Sequence, residues 1–140
     1  MEFKKFDKNQ RSSFSYWFNH WKAFNYIAWK LGVWQPKYLL HDIEKPWLKL
    51  FLRDYKKVQK WHREHNSHHL EYGRIHGLNR MDWLGAIIDW ECSRLTKLSA
   101  LKTAREETER LLSKHDSPCS FDEKEEIRKN CLPILNNLGL

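Results

Sequence analysis

The 140-residue sequence predicts an all-α protein, a single compact domain of about five to seven helices, and three observations carry that reading. Apolar residues recur at steps of three and four almost throughout, the spacing of one helix face. Only five glycines and four prolines interrupt the chain, too few for the turns an all-β domain needs. Residues that favour helix starts stand directly ahead of several apolar runs. No internal repeat, low-complexity tract or linker divides residues 1–140.

The elements follow in order. Residues about 13–32 place Trp17, Trp21, Phe24, Ala28 and Leu31 on one stripe, and Gly32 suits a stop. Pro36 opens a second helix that delivers Leu39, Leu40 and then His41-Asp42, and Pro46 is expected to break the chain just after that pair. A further helix spans about 47–66. His68–Asn79 reads as a connection with one short turn. Asn79 is a candidate N-cap for a helix over about 80–98, with Asp82 in its first turn where the helix dipole favours an anion. Met81, Leu84, Ile88, Cys92 and Leu95 are its expected core face. A charged helix covers about 99–114, and Ser120 with Glu123 forms a capping box for a last helix to about Asn137. The eight tryptophans, given their helical spacing, are expected in the core.

Charge is uneven. Residues 1–60 hold thirteen Lys/Arg against five Asp/Glu, whereas residues 61–140 hold twelve against thirteen. A basic front half attracts an anion, such as a phosphorylated substrate, a nucleic acid or an acidic partner, although lysines also simply solvate helix faces. Aromatics beside basic residues can stack single-stranded nucleic acid, but no nucleic-acid motif is present. Cys92, Cys119 and Cys131 match no zinc or redox spacing. The polar start MEFKKFDKNQ argues against export, and no stretch reaches the roughly 18 apolar residues that span a bilayer. A cytoplasmic protein without a membrane partner is expected.

Six of the eight histidines fall between positions 41 and 76. Imidazole binds borderline divalent metals, and the aspartate of His41-Asp42 adds a hard oxygen. His20 lies on the apolar stripe of the first helix and should point inward, as a ligand or as a hydrogen-bonded core residue. Asp89 stands mid-helix, where no cap is available, one turn after Gly85, whose missing side chain leaves room for an ion. In His62-Arg-Glu-His65-Asn-Ser-His68-His69, the residues His62, His65 and His69 share one helix side, and His68 and His69 emerge at its end. That segment points to metal or phosphate contact, against the alternative of a solvated polar face.

In order, the pattern is His20, His41-Asp42-x-x-Lys45, His62 or His65 with His68-His69, then Asp89. It resembles the HD superfamily of metal-dependent phosphohydrolases, all-helical enzymes whose ligands run His, His-Asp, Asp. The His-Asp-x-x-Lys form is similar to that of cyclic-nucleotide phosphodiesterase members. The chain is more similar still to a family of short phage and bacterial proteins with the same skeleton, including the Asn-x-His-His and Asp-Trp elements. The resemblance covers about residues 16–95, with the helices of about 99–137 packing on that core.

The resemblance implies an HD-like bundle with a first metal on His20, His41, Asp42 and Asp89. Asp42 would bridge to a second metal held by His62 or His65 and by His68 or His69. It implies one or two divalent ions (Mn, Fe, Zn, Mg or Ni), with Lys45 on a substrate phosphate. Asp42, Lys45 and His68 are the candidate catalytic residues. The expected activity is hydrolysis of a nucleotide or related phosphate ester by a metal-activated water. A di-iron oxygenase on the same scaffold and a noncatalytic metal- or phosphate-binding protein are the alternatives.

Overall fold

The computed structural model describes residues 2–100 and 102–140. Its helices are α1 (Phe14–Lys30), α2 (Glu44–Leu52), α3 (Tyr55–His65), α4 (Leu70–His76), α5 (Arg80–Thr96), α6 (Ala104–Leu112), α7 (Phe121–Glu126) and α8 (Leu132–Leu138). A π turn over Ile127–Cys131 joins α7 to α8 in one continuous rod, giving seven helical rods and an all-α fold. The only pairing of extended backbone among the described residues is a bridge from Phe6 to Lys97, which holds the N-terminal segment against the end of α5.

Helix α5 is the axis. Trp83, Leu84, Ala86, Ile87, Ile88 and Cys92 are buried on it, because α1 covers one side and the α6–α8 layer another. The expected core face was narrower, and Met81 does not belong to it: its side chain is exposed in the first turn. Ile87, Ile88, Phe24, Leu111, Ile127 and Leu135 are fully enclosed, each contributing about 1.5–3 kcal/mol of apolar burial. Asn79 and Asp82 form a reciprocal capping box ahead of α5, as do Ser120 and Glu123 ahead of α7.

Several boundaries depart from expectation. Pro46 does not break the chain. It lies in the first turn of α2, where its missing N–H has no intrahelical acceptor to forfeit. The break falls later, at Arg53, whose left-handed backbone (φ 54°) ends α2 before Asp54 caps α3. The connection after His69 contains a full helix, α4. The charged helix begins only at Ala104, after the Thr103 cap. The π turn precedes Pro133, whose ring denies the helix its usual donor, so the turn widens there.

The tryptophans are not mainly core. Only Trp83 is buried, whereas Trp29, Trp34, Trp47 and Trp61 are exposed. Trp17 and Trp21 flank the inner face of α1, where Tyr16, His20, Ala23, Phe24 and Ala28 are the buried set. Their indole N–H groups donate to the Asp42 and Leu39 carbonyls, so these rings tie the His41-Asp42 turn to α1. No helix among the described residues is long and apolar enough to cross a membrane.

Candidate metal centre

Four chain segments deliver the site. His20 projects from α1 and Asp89 from α5, the two helices in closest mutual contact. His41 and Asp42 occupy the turn between a 3-10 segment, Pro36–Leu40, and α2. His62 comes from the last turn of α3, and His68 and His69 from the α3–α4 turn. Asp42 has a left-handed backbone (φ 55°), which aspartate tolerates better than most residues. Its carbonyl accepts from Trp17 Nε1 (2.8 Å) and from the Lys45 amide (3.1 Å). Phe24 stacks on the His41 ring, centroids 3.6 Å apart and 10° from parallel, and fixes its plane.

Asp42 Oδ1 is the centre of the arrangement. His62 Nε2 lies 3.0 Å from it, His68 Nε2 3.4 Å and His41 Nε2 3.5 Å. His41 Nε2 is also 3.6 Å from Asp89 Oδ1, which is 3.0 Å from His20 Nε2. Despite these approaches, His41 Nε2, Asp42 Oδ1, His62 Nε2, His68 Nε2 and His69 Nε2 are all buried without an aligned hydrogen bond. Five orphaned polar atoms in one pocket would cost several kcal/mol if nothing satisfied them. Donor atoms about 2.1 Å from one cation sit about 3.0 Å apart in an octahedron and about 3.4 Å in a tetrahedron. The observed separations are those of a coordination shell, and these buried His/Asp groups can hold a metal ion.

The tautomers support this. Thr96 donates its hydroxyl proton to the Cys92 carbonyl, so Thr96 Oγ1 can only accept from His20 Nδ1 (3.0 Å). His20 Nε2 then presents a lone pair to the Asp89 carboxylate, a contact that requires a cation or a second proton on the ring. Burial lowers the His20 pKa despite Asp89, which disfavours the proton. Burial likewise pushes His41 down to about 4, against the pull of Asp42 and Asp89, and lowers His69. These imidazoles are neutral and free to ligate near neutral pH.

His62 behaves differently. Burial opposes its charge, but Asp42 and Glu44 outweigh burial and raise its pKa. Its Nδ1 is hydrogen-bonded to Glu44 Oε1, which also accepts from Asn66 Nδ2 (2.9 Å). A carboxylate behind an imidazole orients ligand histidines in metal sites. Burial would raise the Asp42 and Asp89 pKa values, yet the surrounding histidines, joined at Asp42 by Lys45, hold both well below the usual range. Lys45 Nζ lies 2.6 Å from Asp42 Oδ2, so one oxygen of Asp42 faces the ammonium and the other faces the imidazoles.

Seven of the eight candidate ligands come together: His20, His41, Asp42, His62, His68, His69 and Asp89. His65 does not. The helix places it one step around from His62, exposed, with its ring stacked on Trp61 at 4.0 Å and Nδ1 donating to the Trp61 carbonyl. Gly85 faces the His68 turn: a Cβ there would stand in ordinary contact, 3.4 Å from the Cβ of His68, beside a small cleft lined by His41, Asp42 and His68. Sequence reading missed Glu44 and Thr96, and included Asn66 only within the Asn-x-His-His element. Glu44 had a signal, as a carboxylate two residues beyond the His-Asp pair. Thr96 had none, since one hydroxyl at a helix end resembles any other.

Two larger clefts reach the cluster, beside a smaller one of about 160 Å³ at His41, Asp42 and His68. One, of about 720 Å³, runs between α1 and α2 to His20 and Asp42, with Arg11, Lys45, Lys49 and Arg53 among its lining. The other, of about 770 Å³, reaches His68, His69 and Asp89 from the α4–α6 side. The chain matches no protein-family model, no curated protein and no solved structure. Geometry separates two nearby histidines, His62 inside the cluster and His65 outside it. His62→Ala is expected to weaken Mn²⁺ binding about tenfold to hundredfold. His65→Ala should stay within about twofold, both read by calorimetric titration.

Proposed function

We propose that the protein is a metal-dependent phosphohydrolase of the HD type, acting on a nucleotide or related phosphate ester. The observation that supports this best is the set of orphaned imidazole nitrogens around Asp42 Oδ1 at the inner end of a cleft with a cationic rim. His20, His41, Asp42 and Asp89 would hold one ion, and Asp42, His62, His68 and His69 offer donors for a second. A divalent ion held there supplies Lewis acidity and makes a bound water nucleophilic near neutral pH.

The residues of the chain supply the rest. Lys45, already charged by its pairing with Asp42, together with Lys49 and Arg53 would bind and neutralise a phosphate entering the cleft. Where only one ion is bound, His68, 3.4 Å from Asp42, would take or return a proton. Phe14, Trp17 and Trp47 would pack the apolar body of a substrate.

The test is a panel of nucleoside mono-, di- and triphosphates, cyclic nucleotides and simple phosphomonoesters, assayed with Mn²⁺ and with EDTA. Hydrolysis of at least one substrate that EDTA abolishes is expected. Lys45→Met should lower its kcat/KM roughly a hundredfold while metal content persists. Phosphate release that EDTA leaves intact would sink the reading. The largely apolar cleft favours a second reading, a di-iron oxygenase acting on an apolar substrate, since imidazole with carboxylate also suits iron. Substrate-dependent oxygen uptake by iron-loaded protein, without phosphate release, would select it.

A further inference from the structure

No residue of helix α2 is fully buried, and its outer face is apolar. Trp47, Leu50 and Phe51 are 64%, 68% and 81% exposed, and with Ile43 they share one face at steps of three and four. Phe14 and Phe18 stand exposed on α1, their rings stacked 6.3 Å apart. Phe14, Trp47 and Leu50 also line the cleft that reaches His20 and Asp42, so the apolar surface surrounds its mouth. A soluble monomer rarely leaves so many large apolar side chains together without a partner.

Charge selects the partner. Arg11, Lys49 and Arg53 line the same mouth, and Lys22 extends over the Phe18 ring at 5.1 Å. The neighbouring carboxylates are engaged: Asp42 by Lys45, Glu44 by His62, and Asp54 as the cap of α3. A second copy meeting this face on itself would set basic rim against basic rim. A single-stranded nucleic acid would stack on the exposed rings of Phe14, Phe18, Trp47 and Phe51 but leave Ile43 and Leu50 uncovered. An apolar helix face with tryptophan and a basic border matches the interface of an anionic bilayer.

We infer that the α1–α2 face is an interfacial docking surface for anionic membranes, seating α2 among the headgroups with the mouth of the cleft against the lipid. The surface needs no spanning helix, and it stands whether or not the cluster hydrolyses phosphate.

The test is flotation of the full chain with vesicles of phosphatidylcholine alone or mixed equally with phosphatidylglycerol. Binding to the mixed vesicles is expected, weakened by salt, with little binding to phosphatidylcholine. The double variant Leu50→Glu/Phe51→Glu should reduce partitioning at least about tenfold. Both side chains are exposed, so its circular dichroism and unfolding temperature should match the parent. Should the double variant instead fail to fold, Lys49→Glu/Arg53→Glu replaces it, with the same loss expected on the mixed vesicles. No flotation with mixed vesicles at low salt, or flotation indifferent to these substitutions, would overturn the inference. So would a dimer in sedimentation, or binding to labelled oligothymidylate, that Leu50→Glu/Phe51→Glu abolishes in a protein that ignores vesicles.

Discussion

Asp42→Asn is expected to abolish metal-dependent hydrolysis, by at least roughly a thousandfold, and to strip the purified protein of its metal while the helices remain. The size of the effect follows from what the side chain does. Its Oδ1 lies within 3.5 Å of three imidazole nitrogens, and with Asp89 the carboxylate would neutralise a cation held between His20, His41, His62 and His68. Losing the ion removes several kcal/mol of transition-state stabilisation, and about 4 kcal/mol is a factor of a thousand in rate. Asparagine is preferred to alanine as the probe because position 42 has a left-handed backbone. Asparagine tolerates that conformation, whereas alanine adds strain of about 1 kcal/mol that would confuse chemistry with folding. Lys45 loses its charged partner in either variant, so unfolding temperature and far-ultraviolet circular dichroism must be measured beside activity and metal content. Asparagine at 42 with full turnover and a full metal complement would end the assignment.

What the sequence disclosed and what it hid separate along physical lines. Periodicity reports which side of a helix is apolar, so the helices and the inward turn of His20 were legible, and residue type disclosed the N-cap at Asn79 and the capping box at Ser120. The same periodicity misplaced the tryptophans. Trp17 and Trp21 fall on the apolar stripe by spacing, but their indole N–H groups need acceptors and find them at the edge, on the Asp42 and Leu39 carbonyls. His62 and His65 could not be separated by composition. Their difference arises where α3 ends: Asn66 leaves the helix in extended conformation and turns the chain so that His68 and His69 return toward His62. Glu44 and Thr96, which fix imidazole tautomers, act through hydrogen bonds across 18 and 76 residues of sequence, and local pattern carries no such information.

Metal loading is expected to raise the unfolding temperature by roughly 10 °C over protein stripped with EDTA. A ligand at about a hundred times its dissociation constant contributes about 2.7 kcal/mol, and 1 kcal/mol moves a chain of this length by about 3–5 °C. The gain should grow with pH, and the sign comes from His62. Its pKa is raised in the folded chain by Asp42 and Glu44, so in stripped protein its proton contributes stability fully present below the ordinary histidine value of about 6.5. That contribution is lost as pH rises through the raised value. A cation at His62 Nε2 must displace the same proton, so metal competes better as pH rises. His20, His41 and His69 add no competition in that window, because burial lowers all three, His41 to about 4. Calorimetric melts of loaded and stripped protein across pH 6 to 8 read the difference directly. A gain that shrinks toward pH 8, or a gain of equal size in Asp42→Asn, would show that the ion stabilises the fold somewhere other than this cluster.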